Sequence, residues 1–192
     1  MKIGVLALQG DFSEHITVLR RIGVDAVEIR LPASLEEIDG LIIPGGESTT
    51  IGKLAVAYGL MQPLRQFGQH KTVWGTCAGA IFLSKDAQRH QPLLELMDIQ
   101  VERNAFGRQV DSFESMIEVP ALEKVAPAGG DYHAIFIRAP LIQSVADHVQ
   151  VLATLSDGRI VAAQQKRLLA TSFHPELTLD DRFHRYFLTL VD

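Results

Sequence analysis

The one cysteine of this 192-residue chain stands in Gly75-Thr76-Cys77-Ala78-Gly79, a nucleophile position with a glycine two residues away on either side. That spacing is the form of an elbow, in which a sharp turn from strand to helix lifts the central side chain clear of a sheet, and the glycines relieve the crowding. A thiol placed there sits at a helix N-terminus, whose free N–H groups favour the thiolate and, beginning with that of Ala78, can hold a developing oxyanion. The plainer reading is a small buried hydrophobe in a packed turn. The paired glycines and the apolar run before them favour the elbow.

A thiol nucleophile needs a base, and His174-Pro175-Glu176 follows the apolar run Leu168–Ser172. An imidazole can take the thiol proton and later give it to a leaving amine, while a carboxylate orients the ring and stabilises its charged form. Taken alone, the triplet also reads as a His-Pro turn after a strand. A third segment, Pro44-Gly45-Gly46-Glu47-Ser48-Thr49-Thr50, follows a strand and opens a helix, so its N–H groups suit an oxyanion or carboxylate. It lacks the spacing of a phosphate-binding Walker loop, and a capping turn is the simpler alternative.

The elements that must position these loops alternate in the first 85 residues between apolar runs and amphipathic segments, the rhythm of a parallel sheet covered by helices. Strands are predicted at Ile3–Leu8, Val24–Ile29, Gly40–Ile43 and Thr72–Trp74. A helix is expected from Asp11, with Asp11 and Glu14 as a capping box and Gly23 as its stop. Further helical segments are Ser48–Tyr58, Gln62–Phe67 and Ala80–Leu83. The second half is richer in strand pattern: Ile99–Glu102, Ser115–Val119, Ile135–Ile137, Val149–Ser156, Arg159–Gln165 and Leu168–Ser172. Ser156-Asp157-Gly158 is a hairpin signal, Asp180–Val191 a last helix, and Pro127–Gly130 a flexible surface loop. The expected fold is α/β, one domain over 1–192, with a central mostly parallel sheet of flavodoxin-like kind flanked by helices and antiparallel strands added in the second half. In such a fold Cys77 and His174 both fall just beyond strand ends, where sites form.

Composition narrows the function classes. With 47% hydrophobic and 21% charged residues, the chain is neither disordered nor low-complexity. A net charge of −5 argues against nucleic acid as a partner. One cysteine makes no internal disulfide, so the cytoplasm is the expected location. No apolar stretch nears the roughly 20 residues of a membrane span, so no membrane partner is expected. The seven histidines show no zinc-ligand spacing; neither metal nor cofactor is expected.

The three loops together resemble the class I, triad-type glutamine amidotransferases. Leu8-Gln9-Gly10, Gly45–Thr50, Val101–Asn104, Phe106–Phe113, Phe136–Pro140 and Ser172–Thr178 are similar to the glutaminase subunits of two-protein pyridoxal 5′-phosphate synthases, in order over nearly the whole chain. Ala128–His133 departs from that pattern. The resemblance implies Cys77 as nucleophile, His174 as general base and acid, and Glu176 as its orienter. Gly46 and Ala78 would supply oxyanion N–H groups, and Gly46, Glu47, Ser48, Arg103, Ile137 and Arg138 would line the site for L-glutamine, whose α-carboxylate and α-ammonium need polar partners away from the scissile amide. Without it, Arg103 and Arg138 read as surface ion pairs.

The activity implied is hydrolysis of L-glutamine to glutamate and ammonia through a Cys77 thioester. The ammonia would pass, within a hetero-oligomeric complex, to a synthase subunit on a separate chain that joins it with a pentose phosphate and a triose phosphate. Docking is expected near Gln9-Gly10 and the helix from Asp11, with activity dependent on it. The rivals are an amidotransferase serving another acceptor, a cysteine hydrolase on a related fold, and a non-catalytic subunit that keeps the fold.

Overall fold

The computed structural model describes residues 1–103 and 112–191. The first half builds strands β1 (Lys2–Leu6), β2 (Asp25–Ile29), β3 (Gly40–Ile43) and β4 (Thr72–Thr76). Its helices are α1 (Phe12–Arg21), α2 (Ser48–Ala57), α3 (Met61–His70) and α4 (Ala78–Leu83). The second half adds β5 (Ser84–Asp86), β6 (Met97–Glu102), β7 (Ser112–Ile117), β8 (Tyr132–Ile137), β9 (Leu141–Val145), β10 (Gln150–Thr154), β11 (Ile160–Gln165), β12 (Leu168–Thr171) and helix α5 (Arg182–Leu188).

In the main sheet the order runs β2-β1-β3-β4-β12-β11-β9-β6-β5, with β10 also on β11, while β7 and β8 form a separate hairpin. From β2 to β12 every pairing is parallel. β12 then turns the sheet antiparallel through β11 and β9 to β6. This is the predicted architecture. Parallel strands end along one edge, so the loops after β1, β3, β4 and β12 converge there, beside the switch point between β1 and β3, from which the chain runs on in opposite directions along the sheet, to β2 and to β4.

Strand alternation divides the core into two layers. Leu41, Ile43, Val73 and Ala170 face α2, α3 and α4. Ile42, Trp74 and Leu169 face α1, α5 and the β7–β8 hairpin, where Trp74, Tyr132, Phe136, Phe173, Phe183 and Phe187 are all fully buried. The aromatic layer supports the loop after β12 from beneath, with Phe173 edge-on to Phe136 and Phe183. Burial of aromatic side chains on this scale is worth about 3–5 kcal/mol each against alanine.

Several expectations need correction. Asp11 occupies the N-cap of α1, but its side chain makes no capping bond; its carboxylate points instead toward His174, 3.5 Å from Nδ1. Glu14 accepts from Ser13 Oγ rather than closing a box. The 127–130 loop lies at the surface, as expected, and Arg182 donates to the carbonyls of Gly130 and the following Asp131. β5 and β9 have no counterpart among the predicted strands. β5 is the short, largely exposed SKD, and β9 buries only Ile142, so neither carries the apolar pattern of a strand. Gly23 does stop α1, with φ +84, and Gly158 turns the β10–β11 hairpin.

Candidate active site

β4 delivers Cys77 to the sheet edge in a backbone conformation rare for a side-chain-bearing residue, φ 47°, ψ −107°, a strain of about 1–3 kcal/mol. The turn is held by a hydrogen bond from the Cys77 N–H to Thr171 O of β12 at 2.8 Å. Both elbow glycines are steric requirements. A Cβ on Gly79 would lie 2.0 Å from Ile43 O, and one on Gly75 would lie 2.5 Å from the Gly79 backbone. The amide of Ala78 opens α4, where N–H groups have no intrahelical acceptor.

His174 stands just past β12. Its N–H donates to Ile135 O of β8 at 2.9 Å, joining the loop to the hairpin. Its ring is hydrogen-bonded to Cys77, and its Nδ1 lies 2.7 Å from Glu176 Oε1. Gly45 leaves room for the ring: a Cβ there would come within 2.5 Å of His174 Cε1. Burial of His174 opposes its charge, but the bonds and charges of Cys77 and Glu176 outweigh that and push its pKa up to about 11. Burial also pushes the Glu176 carboxyl above its ordinary value, against the opposing bond from His174.

The loop after β3 supplies the opposite wall. Gly46 adopts φ +148, and the Glu47 N–H donates to Gln9 Oε1 at 2.7 Å. Glu47 caps α2, accepting from the N–H groups of Thr49 and Thr50, and pairs with Arg103 at 2.7 Å. Desolvation works against its charge, yet the bonds from Thr50, Thr49 and Arg103 hold its pKa down to about 2. Arg103 also donates to Thr49 Oγ1 at 2.9 Å. Its guanidinium is thus fixed at the cavity wall, contrary to a freely solvated surface pair.

A cavity of about 510 Å³ opens over these groups. Its lining brings together Cys77, Ala78, His174, Gly46, Glu47, Ser48, Arg103, Ile137 and Arg138; of the residues expected at the site, only Glu176 lies behind it, buried beneath His174. Ile137 places its carbonyl 3.9 Å from Cys77 Sγ, and Arg138 holds a positive φ of 44° as the chain turns past the cavity. The Phe106–Phe113 motif falls largely on residues 104–111, outside the described residues.

Gln9 and Asp11 also line the cavity, and the sequence reading assigned neither to the glutamine site. The available signal was their position directly after the first parallel strand, at the switch point. Asp11, His174 and Glu176 bring three potential ligand atoms within 4.8 Å. His174 Nδ1 is already engaged within the group, bonded to Glu176 Oε1 at 2.7 Å with Asp11 Oδ2 3.5 Å away.

Fold and site define an α/β protein with a thiol, an imidazole and a carboxylate aligned at the carboxyl edge of a parallel sheet, an arrangement suited to acyl transfer through sulfur. Residues 5–192 match the SNO glutamine amidotransferase family; the chain belongs to that family. It is 57% identical over 195 residues to "Pyridoxal 5′-phosphate synthase subunit PdxT" of Dehalococcoides mccartyi, covering 100% of this chain and 97% of the relative. It is 55% identical to the protein of the same name from Herpetosiphon aurantiacus, covering 99% and 100%. A solved structure described as a glutamine amidotransferase superposes with TM-score 0.90 at 50% identity, over 98% of this chain and 97% of that one. Among the described residues no helix is long and apolar enough to cross a membrane.

Proposed function

We propose that this chain, one amidotransferase domain over 1–192, is the glutaminase subunit of a pyridoxal 5′-phosphate synthase, and that it hydrolyses L-glutamine in the cytoplasm and hands the ammonia to a separate synthase subunit for vitamin B6 biosynthesis. The observation that carries the reading is the continuous line Cys77–His174–Glu176 at the base of a cavity with a fixed guanidinium on its wall.

The chemistry follows from the positions. The Cys77 thiolate attacks the side-chain amide carbon of glutamine, and the oxyanion that forms accepts from the N–H groups of Ala78 and Gly46. His174, charged at this stage, gives its proton to the amide nitrogen, which leaves as ammonia, so a γ-glutamyl thioester remains on sulfur. Water then attacks the thioester while His174 takes its proton; the C–S bond breaks, glutamate leaves, and the thiolate is restored. Glu176 holds His174 Nδ1–H throughout, keeping Nε2 toward sulfur. Arg103 and Glu47, with Ser48, Ile137 and Arg138, bind the amino-acid end of glutamine.

Ammonia released into water at neutral pH is mostly ammonium and a poor nucleophile, which favours transfer inside a complex. The docking loop proposed at Gln9-Gly10 already touches the oxyanion wall. Gln9 accepts from the Glu47 N–H, and a Cβ on Gly10 would lie 1.7 Å from Gly45 O. A partner seated there bears directly on the Gly46 peptide. Glutamate release measured with and without the synthase subunit tests the coupling: release that rises on addition is expected, and full activity of the isolated chain would contradict it.

A further inference from the structure

Behind the triad lies a pair of histidines that the mechanism above does not use. His15 of α1 and His184 of α5 are completely buried, with His15 Nδ1 3.0 Å from His184 Nε2. The other nitrogen of His15, Nε2, is hydrogen-bonded to Thr76 Oγ1 at 3.2 Å and lies 3.3 Å from Glu176 Oε2. Trp74 meets both imidazoles edge-on, which fixes their planes. Glu176 Oε2 has no hydrogen-bond partner of its own among the described residues, and neither has His184 Nδ1.

The polarity of this chain is fixed by its end on the carboxylate. Oxygens of Glu176 only accept when ionised, so a lone pair on His15 Nε2 facing Oε2 would be repulsive, and Nε2 carries the hydrogen. His15 Nδ1 is then an acceptor, which makes His184 Nε2 the donor to it and leaves His184 Nδ1 a bare lone pair. That matches its lack of a partner. Reversing every tautomer would leave a buried N–H on His184 unsatisfied as well as a lone pair against the carboxylate, two penalties in place of one.

We propose that His15 is a positioning residue for the triad: its Nε2–H, shared between Thr76 and Glu176, holds the Glu176 carboxylate ionised and oriented toward His174, and His184 locks His15 in the tautomer that can do this. Buried carboxylates keep their charge only where donors face both oxygens. His174 serves Oε1, and His15 Nε2 lies 3.3 Å from Oε2; the main-chain N–H of Glu176 also favours the charged carboxylate. The remaining charged or titratable groups acting on Glu176 are Asp11, before α1, which opposes its ionisation, and Tyr132 of β8, a neutral phenol at working pH. On the far side, His184 faces Asp181 and Arg21. Both inner histidines are neutral, because burial lowers the pKa of each, that of His184 to about 3.

The inference rests on the reading of Glu176 as the orienter of His174, and the test separates the two. In the complex with the synthase subunit, glutaminase kinetics are compared for the parent, His15→Leu, His15→Gln and Glu176→Gln. Expected for His15→Leu is a kcat about 10- to 100-fold lower, the worth of a hydrogen bond to a charged group, with KM unchanged and the acid limb of the kcat–pH profile moved to higher pH. His15→Gln, which brings an amide N–H to the same region, restores most of the rate. A folded His15→Leu protein with parental kcat and acid limb overturns the proposal. If Glu176→Gln is also fully active, the triad reading falls with it; if only Glu176→Gln loses activity, the triad stands and the role of His15 falls. Histidine side-chain 15N–1H NMR on the parent protein gives an answer independent of any variant's folding. The Nε2–H tautomer on both His15 and His184 supports the proposal, and Nδ1–H on His15 refutes it.

Discussion

The two halves of the sheet carry different burdens. From β2 to β12 the strands are parallel, and the loops beyond their carboxyl ends supply Gln9, Asp11, Gly46, Glu47, Cys77, His174 and Glu176. The antiparallel half, with the β7–β8 hairpin, contributes Arg103, Ile137 and Arg138, a wall and a ceiling for the cavity. Parallel strands aim several loops at one place, whereas antiparallel neighbours send successive loops to opposite edges. Groups that must meet within 3–4 Å therefore come from the first kind of sheet, and groups that bind a substrate's distal end can come from the second.

Substitutions sharpen or break this division. The largest effect is expected in the parallel half, where Cys77→Ala and His174→Ala should each lower glutamate release in the synthase complex by more than about 10⁴-fold. Loss of much less than that would move the chemistry elsewhere. Arg103→Ala, on the antiparallel side, should raise KM about 10- to 100-fold and change kcat far less, as uniform binding is removed. A kcat collapse with unchanged KM would show that this wall takes part in the chemical step.

Stability should divide the same way. Gly79→Ala puts a methyl group 2.0 Å from Ile43 O and should cost about 3 kcal/mol or more in urea unfolding. The buried histidines beneath the parallel half add a pH term of defined sign. Their folded pKa values lie below the unfolded value, His184 at about 3 against 6.5, so the unfolded chain binds more protons between those limits and stability falls as pH drops below about 6.5. The slope is up to about 1.4 kcal/mol per pH unit for each histidine. His184→Leu should remove one histidine's share of it, read from urea midpoints at pH 7 and pH 4.5. Smallest of all, Gln143→Ala on the exposed face of β9 should change stability by less than about 0.5 kcal/mol and leave the kinetics untouched.

The same division explains what was legible in the sequence. Central parallel strands are buried on both faces, so IGVLAL and GLII stand out as apolar runs, and the glycines at 75 and 79 mark an elbow because backbone approaches within 2–3 Å demand them. Cys77 and His174-Pro-Glu176 stood out in the sequence, and the structure sets their thiol, imidazole and carboxylate in one hydrogen-bonded line. β9 was hidden because it pairs without burying an apolar face, and SKD of β5 because pairing alone defines it. Asp11 looked like a cap, since residue type and spacing before α1 satisfy the capping pattern; what redirects its carboxylate is His174, more than 160 residues away in the chain. His15 carries no motif in the sequence that would single it out. Its meeting with Glu176 and His184 is a product of α1 and α5 packing on one face of the sheet, and no local pattern encodes that.

The central claim is that Cys77, activated by His174, attacks the side-chain carbonyl of glutamine. The most direct measurement is the intact mass of the chain, in complex with the synthase subunit, after exposure to a glutamine analogue carrying an electrophilic carbon in place of the amide. One adduct per chain is expected, located on Cys77 by peptide mapping, blocked by excess L-glutamine and strongly slowed in His174→Ala. An adduct on another residue, or one on Cys77 that L-glutamine does not prevent, would contradict the account.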